Sequence, residues 1–310
     1  MTVPLDFRTD APVPVDLDVR WIDGTDPDQP LAQVHRLDRH TVVIRQSGRT
    51  DPEAPFVFLL FGDERALLVD TGATADPARW PVRSLVDGLV EEWLRENPRG
   101  TYPLTVVHTH SHGDHTAGDD AMRARPGTTV VGTDLASVRE FFGFTRWPDE
   151  VVPLDLGGRV LSVIGGPGHD AAAVVLHDPW TGILLTGDTV YPGRLYVPDM
   201  AAFVATLERL VAFCRTVPTT HVLGCHIEMS ARPGRDHPLA APRHPGEPPL
   251  QMTVAQLERL RDRAVAVADR PGVHRFDDVV VYNGNRRRDR RRLAARGRLA
   301  QVAARVTRTP

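Results

Sequence analysis

The sequence has no lysine: all 37 basic residues are arginine, set against 40 acidic ones in 310 residues. A lysine nucleophile or Schiff-base mechanism is therefore excluded. Cysteine is nearly absent as well, with only Cys214 and Cys225, too few for a disulfide framework. No apolar run approaches the ~20 residues of a membrane-spanning helix, so none is expected. A charge excess is also missing. The net charge of −3 gives the chain as a whole no electrostatic reason to seek nucleic acid or an anionic membrane. Residues 1–19 interleave Asp6, Arg8, Asp10, Asp16 and Asp18 with prolines, unlike the apolar centre of a signal peptide, and a cytoplasmic location is the expectation.

What is present is enough apolar matter, 41% of residues, to build a core without staples. Residues 56–61 (FVFLLF) and 66–69 flank Gly62-Asp63-Glu64-Arg65 and predict a buried hairpin that delivers Asp70 to a turn. Apolar positions Val82, Leu85, Leu89 and Trp93 predict a helix, closed by Pro98 and Gly100. A strand over 104–107 then leads into a histidine cluster. Further strands are expected at 128–131 and 160–164, with a helix at 135–142 between them. A hairpin follows over 172–176 and 183–186, and its second strand runs into Gly187-Asp188. After a helix at 200–215 and a strand at 220–223 comes Gly224-Cys225-His226. Residues 230–249, rich in proline and charge, predict a long irregular loop, of a kind that often serves as a functional cover in a compact domain. Thr253 and Gln256 form a capping-box pattern for a last core helix, and 279–282 predict a final strand.

His110-x-His112-x-Asp114-His115 concentrates three imidazoles and a carboxylate at the end of a predicted strand. These are ligands that borderline metals such as zinc prefer, and alternate residues of a turn can address two neighbouring ions. His169, Asp188 and His226 each follow a predicted strand and a glycine, which permits the tight turn that aims a side chain into a shared cleft.

This constellation resembles the metallo-β-lactamase superfamily. The resemblance rests on the HxHxDH motif, the preceding Leu68-Val69-Asp70-Thr71-Gly72, and the following Gly168-His169, Gly187-Asp188 and His226. It is closest in pattern to the hydroxyacylglutathione hydrolase-like and lactonase-like members. It implies an α+β fold, a four-layer αββα sandwich with metals at one edge. By residue-by-residue carry-over it implies that His110, His112 and His169 hold one ion, that Asp114, His115 and His226 hold a second, that Asp188 bridges them, and that Asp70 orients the site. Two divalent metal ions are expected, zinc first, with iron or manganese open. The resemblance further implies hydrolysis of a small-molecule substrate by a hydroxide shared between the ions, with Asp114 managing the leaving group's proton. Asp188 favours an ester, thioester or lactone, because family β-lactamases generally lack a bridging aspartate there. A mononuclear iron enzyme like the persulfide dioxygenases, a phosphodiesterase or RNA-processing member and a β-lactamase stay open as alternatives. No glutathione-binding segment is recognisable in the C-terminal part.

Tyr191 and Tyr196 follow the bridging aspartate, and either phenol can donate to a developing oxyanion. Glu228, Met229, Arg232 and His237 are candidates for the pocket wall, and Cys225 for a buried thiol. Residues 1–285 are expected to form the metallo-β-lactamase-fold domain with an N-terminal extension. Residues 286–310 would form a flexible or helical tail of ten arginines and one aspartate, dispensable for small substrates. That tail leaves RNA or an acidic partner open.

Overall fold

The computed structural model describes residues 4–284 and 286–306. Two six-stranded sheets dominate it. The first comprises β1 (Ala32–Asp38), β2 (Thr41–Gln46), β3 (Phe56–Phe61), β4 (Ala66–Val69), β5 (Leu104–Val107) and β6 (Thr128–Val130), in that spatial order. The second runs β13–β12–β10–β9–β8–β7, built from β7 (Val151–Asp155), β8 (Val160–Gly165), β9 (Val174–Asp178), β10 (Ile183–Gly187), β12 (His221–Gly224) and β13 (Gln251–Met252). β11 (Arg194–Val197), β14 (Gly272–Arg275) and β15 (Val280–Asn283) make a small third sheet in the order β11–β15–β14.

Period-two alternation decides which residues face which layer. In β3, Phe56, Phe58 and Leu60 point between the sheets, where they meet Leu161, Val163, Leu176, Leu185 and Leu223 of the second sheet. The alternate residues Val57, Leu59 and Phe61 point outward onto Val82, Val86, Leu89, Val90 and Trp93 of helix α1 (Val82–Glu96). Both faces are buried, which is why FVFLLF carries no polar residue.

Three shorter helices lie along the first half: α2 (Gly113–Thr116), α3 (Asp119–Arg123) and α4 (Leu135–Phe142). On the outer face of the second sheet, α5 (Met200–Cys214) and α6 (Val254–Val267) cover Ile164, Val175, Leu184 and Val222. Thr253 and Gln256 cap α6 reciprocally, as their spacing predicts. The result is the expected αββα sandwich. Sequence reasoning did not identify β1, β2, β7, β11, β13 or β14, and residues 4–31 form an extended strap along the sandwich. The arginine-rich segment forms α7 (Arg287–Val306), with Leu293 packed against Met229, Val280 and Tyr282. Among the described residues no helix is long and apolar enough to cross a membrane.

One topological feature places the site. β4 pairs in parallel with β5, and β10 pairs in parallel with β12, so in each sheet two strands finish at the same edge. Asp70, the 108–115 turn, Asp188 and His226 all follow those ends.

Candidate metal centre

The seven residues expected to bind metal come together in two adjoining groups. His110, His112 and His169 place one nitrogen each within 4.8 Å of one another, and Asp114, His115, Asp188 and His226 do the same with one ligand atom each. In the first group the Nε2 atoms of His110 and His169 both lie 3.0 Å from His112 Nδ1. In the second, His115 Nε2 and His226 Nε2 stand 3.3 Å apart, and Asp114 Oδ2 lies 3.5 and 3.4 Å from them.

Asp188 stands between the groups. Its Oδ2 lies 3.9 Å from His110 Nε2 and 3.7 Å from His169 Nε2, while its Oδ1 lies 3.6 Å from His115 Nε2 and 3.3 Å from His226 Nε2. Each oxygen faces one group. Gly187 makes this placement possible: it has φ +52°, and a Cβ there would sit 2.5 Å from the Thr109 side chain.

The outer nitrogens of the histidines are held by acceptors, which settles their tautomers. His169 Nδ1 donates to the Tyr196 carbonyl at 2.7 Å, and His226 Nδ1 donates to the Glu53 carbonyl at 2.8 Å. His115 Nδ1 donates to Asp70 Oδ2 at 2.9 Å. In these three rings Nε2 is directed inward, the arrangement that second partners impose on metal-binding histidines. Asp70 does more than hold His115. Fully buried at φ +68°, it also accepts from Thr109 N at 2.8 Å, Thr109 Oγ1 at 2.9 Å and Cys225 Sγ at 3.3 Å. Cys225 is the buried thiol the sequence suggested, and burial raises its pKa, so it stays protonated.

The electrostatics call for positive charge. Burial disfavours a charged His226, yet Asp188 and Asp114 outweigh it and raise its pKa to about 10. His115 is raised in the same way against its burial, chiefly by Asp70 and Asp188. Burial and its imidazole neighbours push His110 well below the ordinary histidine range, leaving a neutral ligand. The carboxylates of the second group thus hold either protons or a cation. Asp188 Oδ1 supplies an independent test of fit, since it is buried and has no hydrogen-bond partner. An orphaned carboxylate oxygen facing two inward imidazole nitrogens suits a divalent ion.

A cavity of about 460 Å³ opens over these groups, lined by His112, Asp114, His169, Asp188 and His226 together with Tyr191 and Tyr196. The two tyrosines separate clearly. Tyr191 is buried and its hydroxyl donates to the Arg194 carbonyl at 2.5 Å beside Glu228, so no proton is left for a substrate. The oxyanion-donor expectation is corrected on that point. Tyr196 instead accepts from Arg194 Nε at 3.2 Å, which leaves its own hydroxyl proton free to donate. Glu228 lines the cavity, whereas Met229, Arg232 and His237 are not among the lining residues. Sequence reasoning missed Asp51, Glu53 and Tyr282, which are, and it set aside Arg286, Asp289 and Arg290 as part of a tail. Nothing in the local sequence of Asp51 or Glu53 signals a site, because a strand connection far from the motif carries them.

Comparison with known proteins agrees with the geometry. Hydroxyacylglutathione hydrolase of Rhizobium meliloti (strain 1021) is 29% identical over 145 residues, which cover 46% of this chain and 54% of that protein. Acyl-coenzyme A thioesterase MBLAC2 of Homo sapiens is 27% identical over 192 residues, 50% of this chain and 66% of that one. The matches therefore span about half to two thirds of those relatives. Among solved structures, DIM-1 metallo-beta-lactamase exposed to ceftazidime aligns with a TM-score of 0.51 at 16% identity, over 77% of this chain and 98% of that one, a likeness of fold. The model of the metallo-beta-lactamase superfamily matches residues 50–205, half of the sequence, and that stretch carries Asp70, the 110–115 motif, His169 and Asp188. The chain belongs to the metallo-beta-lactamase superfamily.

Proposed function

We propose that this protein is a binuclear metal-dependent hydrolase of an ester, thioester or lactone, with zinc as the first-choice metal. The observation that carries the reading is the Asp188 carboxylate, which turns one oxygen to each histidine group and leaves the second without a hydrogen bond. His110, His112 and His169 would hold one ion, and Asp114, His115 and His226 the other, with Asp188 shared. Bound there, divalent cations supply Lewis acidity and activate water near neutral pH.

The chain's own residues do the rest. Asp70 fixes the His115 ring so that Nε2 stays inward. Asp114 is the more exposed of the second group's two carboxylates, at 23% side-chain exposure against 8% for Asp188, so it can take the nucleophile's proton and return it to the leaving group. Tyr196 offers its free hydroxyl to the oxyanion that forms when the acyl carbon becomes tetrahedral. The hydrolase names of both curated relatives support cleavage of a thioester, which stands within this reading.

The test is metal analysis combined with turnover on a panel of thioesters, lactones, phosphodiesters and β-lactams. Two divalent ions per chain with acyl cleavage is the expected result. One iron per chain with oxygen consumption, or activity confined to phosphodiesters or β-lactams, would overturn it.

A further inference from the structure

Arg194 and Tyr196 lie two residues apart in β11, so their side chains leave the same face of the strand. Arg194 is buried and held from several directions. Its backbone N–H donates to Glu228 Oε2 at 2.7 Å, and its Nη2 meets the other oxygen of that carboxylate. Its Nη1 donates to the His237 carbonyl at 2.7 Å and to Asp236 Oδ2 at 3.2 Å. A planar guanidinium with both terminal nitrogens fixed leaves its Nε–H one direction, and that direction ends on the Tyr196 hydroxyl oxygen. A donor on one side of a phenol oxygen turns the phenol's own proton to the other. Tyr196 lines the cavity and Arg194 does not, so the proton is left to the cavity side. Accepting from a cation also strengthens that O–H as a donor.

The support of Arg194 continues into helix α7, which lies beyond the residues matched by the family model. The Asp236 side chain is fully buried; while Oδ2 takes Arg194, Oδ1 takes Arg275 Nη1 at 2.7 Å and Arg296 Nη2 at 2.6 Å. Burial works against its charge, yet hydrogen bonds from Arg275 and Arg296 hold its pKa at about 2, so it stays ionised. Arg296 Nη2 also donates to the Asp236 carbonyl at 3.1 Å and lies 3.4 Å from the His237 carbonyl, the same oxygen that Arg194 uses. Asp236 sits in a loop, tied to Met229 by an isolated bridge, so an arginine pulling on it from α7 bears directly on Arg194. The helix that carries Arg296 is itself seated: Leu293 is buried against Tyr282 and Met229, and a Cβ on Gly297 would stand 2.7 Å from the Leu239 carbonyl oxygen.

We propose that Arg194 is the positioning residue that aims the Tyr196 hydroxyl at the oxyanion, and that α7 completes this arrangement through Arg296 and Asp236. This role rests on the hydrolase reading, in which Tyr196 is the donor. Arg194 and Arg296 touch no reacting atom; they act through the direction of one O–H bond. Residues 286–310 then take part in the turnover of small substrates, although Arg296 is not among the residues that line the cavity. A donor displaced by about 1 Å can cost on the order of a hundredfold in rate, and loss of one oxyanion donor typically costs about a hundredfold or more.

The experiment uses the full, metal-loaded chain. Arg194→Gln and Arg296→Gln are each made in the wild-type and Tyr196→Phe backgrounds, and kcat, KM and metal affinity are measured with S-acetyl-N-acetylcysteamine and δ-valerolactone as substrates. Tyrosine labelled with carbon-13 at Cζ gives one resonance for each of the four tyrosines, and Tyr196→Phe assigns the one that reports this hydroxyl. Arg194→Gln should lower kcat about tenfold or more and Arg296→Gln about threefold or more, with KM and metal affinity near wild type. In the Tyr196→Phe background neither should cost further turnover. The Tyr196 resonance should move in both variants, while that of Tyr102, whose hydroxyl donates to the Gly62 carbonyl, stays in place. Losses that multiply with Tyr196→Phe would show damaged packing and overturn the assignment, as would an unmoved Tyr196 resonance in either folded variant. Arg296 is 39% exposed, so if Arg194→Gln does not fold, Arg296→Gln decides, and unchanged turnover with an unmoved resonance overturns the assignment. If neither substrate is cleaved, the hydrolase reading falls, and a displaced Tyr196 resonance leaves the positioning by Arg194 standing.

Discussion

Replacing Asp70 with asparagine separates the orientation of the centre from its ligands. The wild-type carboxylate receives Thr109 N on Oδ1, and Thr109 Oγ1, His115 Nδ1 and Cys225 Sγ on Oδ2. All four are donors. Asparagine offers one oxygen and one NH2, so either orientation turns a donor onto a donor in a fully buried site. With the NH2 at the Oδ1 position it opposes the Thr109 backbone N–H; at the Oδ2 position it opposes His115 and works to turn that ring's proton inward. A lost charge-assisted hydrogen bond costs roughly 1.5–3 kcal/mol, and disturbing the partner of a metal-binding histidine typically weakens the metal by about 10–100-fold. The group containing His115 should therefore lose affinity by that factor. The group of His110, His112 and His169 touches Asp70 only through Thr109 and should change less. Competition titration with a chromophoric chelator resolves the two affinities, and circular dichroism melting monitors the fold. A D70N protein that binds both ions at wild-type affinity and melts at the wild-type temperature would refute the orienting role.

Three further outcomes are expected. Asp188→Asn removes the negative charge facing both groups; with a charge pair at ~4 Å contributing on the order of 4 kcal/mol at an effective dielectric of ~20, metal titration should show both ions weakened and turnover down by orders of magnitude. Wild-type stoichiometry and rate would remove the bridge. Tyr196→Phe should lower kcat by roughly tenfold or more with metal content intact, while Tyr191→Phe should lower stability by about 1–2 kcal/mol and leave kcat nearly unchanged. Equal loss of kcat in both variants contradicts the distinction. Finally, the chelator-treated chain should lose stability as pH rises from 6.5 through about 10. The folded state holds the His226 proton more tightly than the ordinary value of 6.5, so that stabilisation is complete below 6.5 and gone above about 10. A melting temperature that climbs over this window in the chelated protein would contradict the assignment.

The sequence is most legible where periodicity and ligand chemistry are both strong. FVFLLF, the 135–142 helix and the Thr253–Gln256 cap fall where expected, and the seven metal-binding candidates all converge. β1 and β2 escaped because AQVHRLD mixes charge into its run and TVVIRQ is buried while ending in polar residues, so neither alternates cleanly. Arg45 illustrates the difficulty: it is buried because Glu247, two hundred residues later in the chain, forms an ion pair with it. The tail is helical, one of the two forms expected, but its docking was hidden for a related reason. Ten arginines in 25 residues suggest a solvated extension, but Asp236 gathers Arg194, Arg275 and Arg296 around one carboxylate, and that convergence has no signature in local sequence. Tyr191 and Tyr196 look alike in sequence; only the partners of their hydroxyls distinguish them.

Each histidine group draws on both sheets. His110 and His112 come from the first half of the chain and His169 from the second; Asp114 and His115 come from the first, Asp188 and His226 from the second. A cation held at either position would have a complete set of ligands only when the two sheets are pressed together, so it would act as a reversible rivet across the sandwich. Its binding equilibrium and the docking equilibrium of the halves would then be one linked process, in which free metal at a hundred times its Kd would add ~2.7 kcal/mol to the docked state. A chain cut in the connection between β6 and β7 would give two fragments, neither holding a whole site, whose reassembly should depend on metal concentration. The centre would thus serve as an assembly checkpoint for the fold as well as its reactive edge.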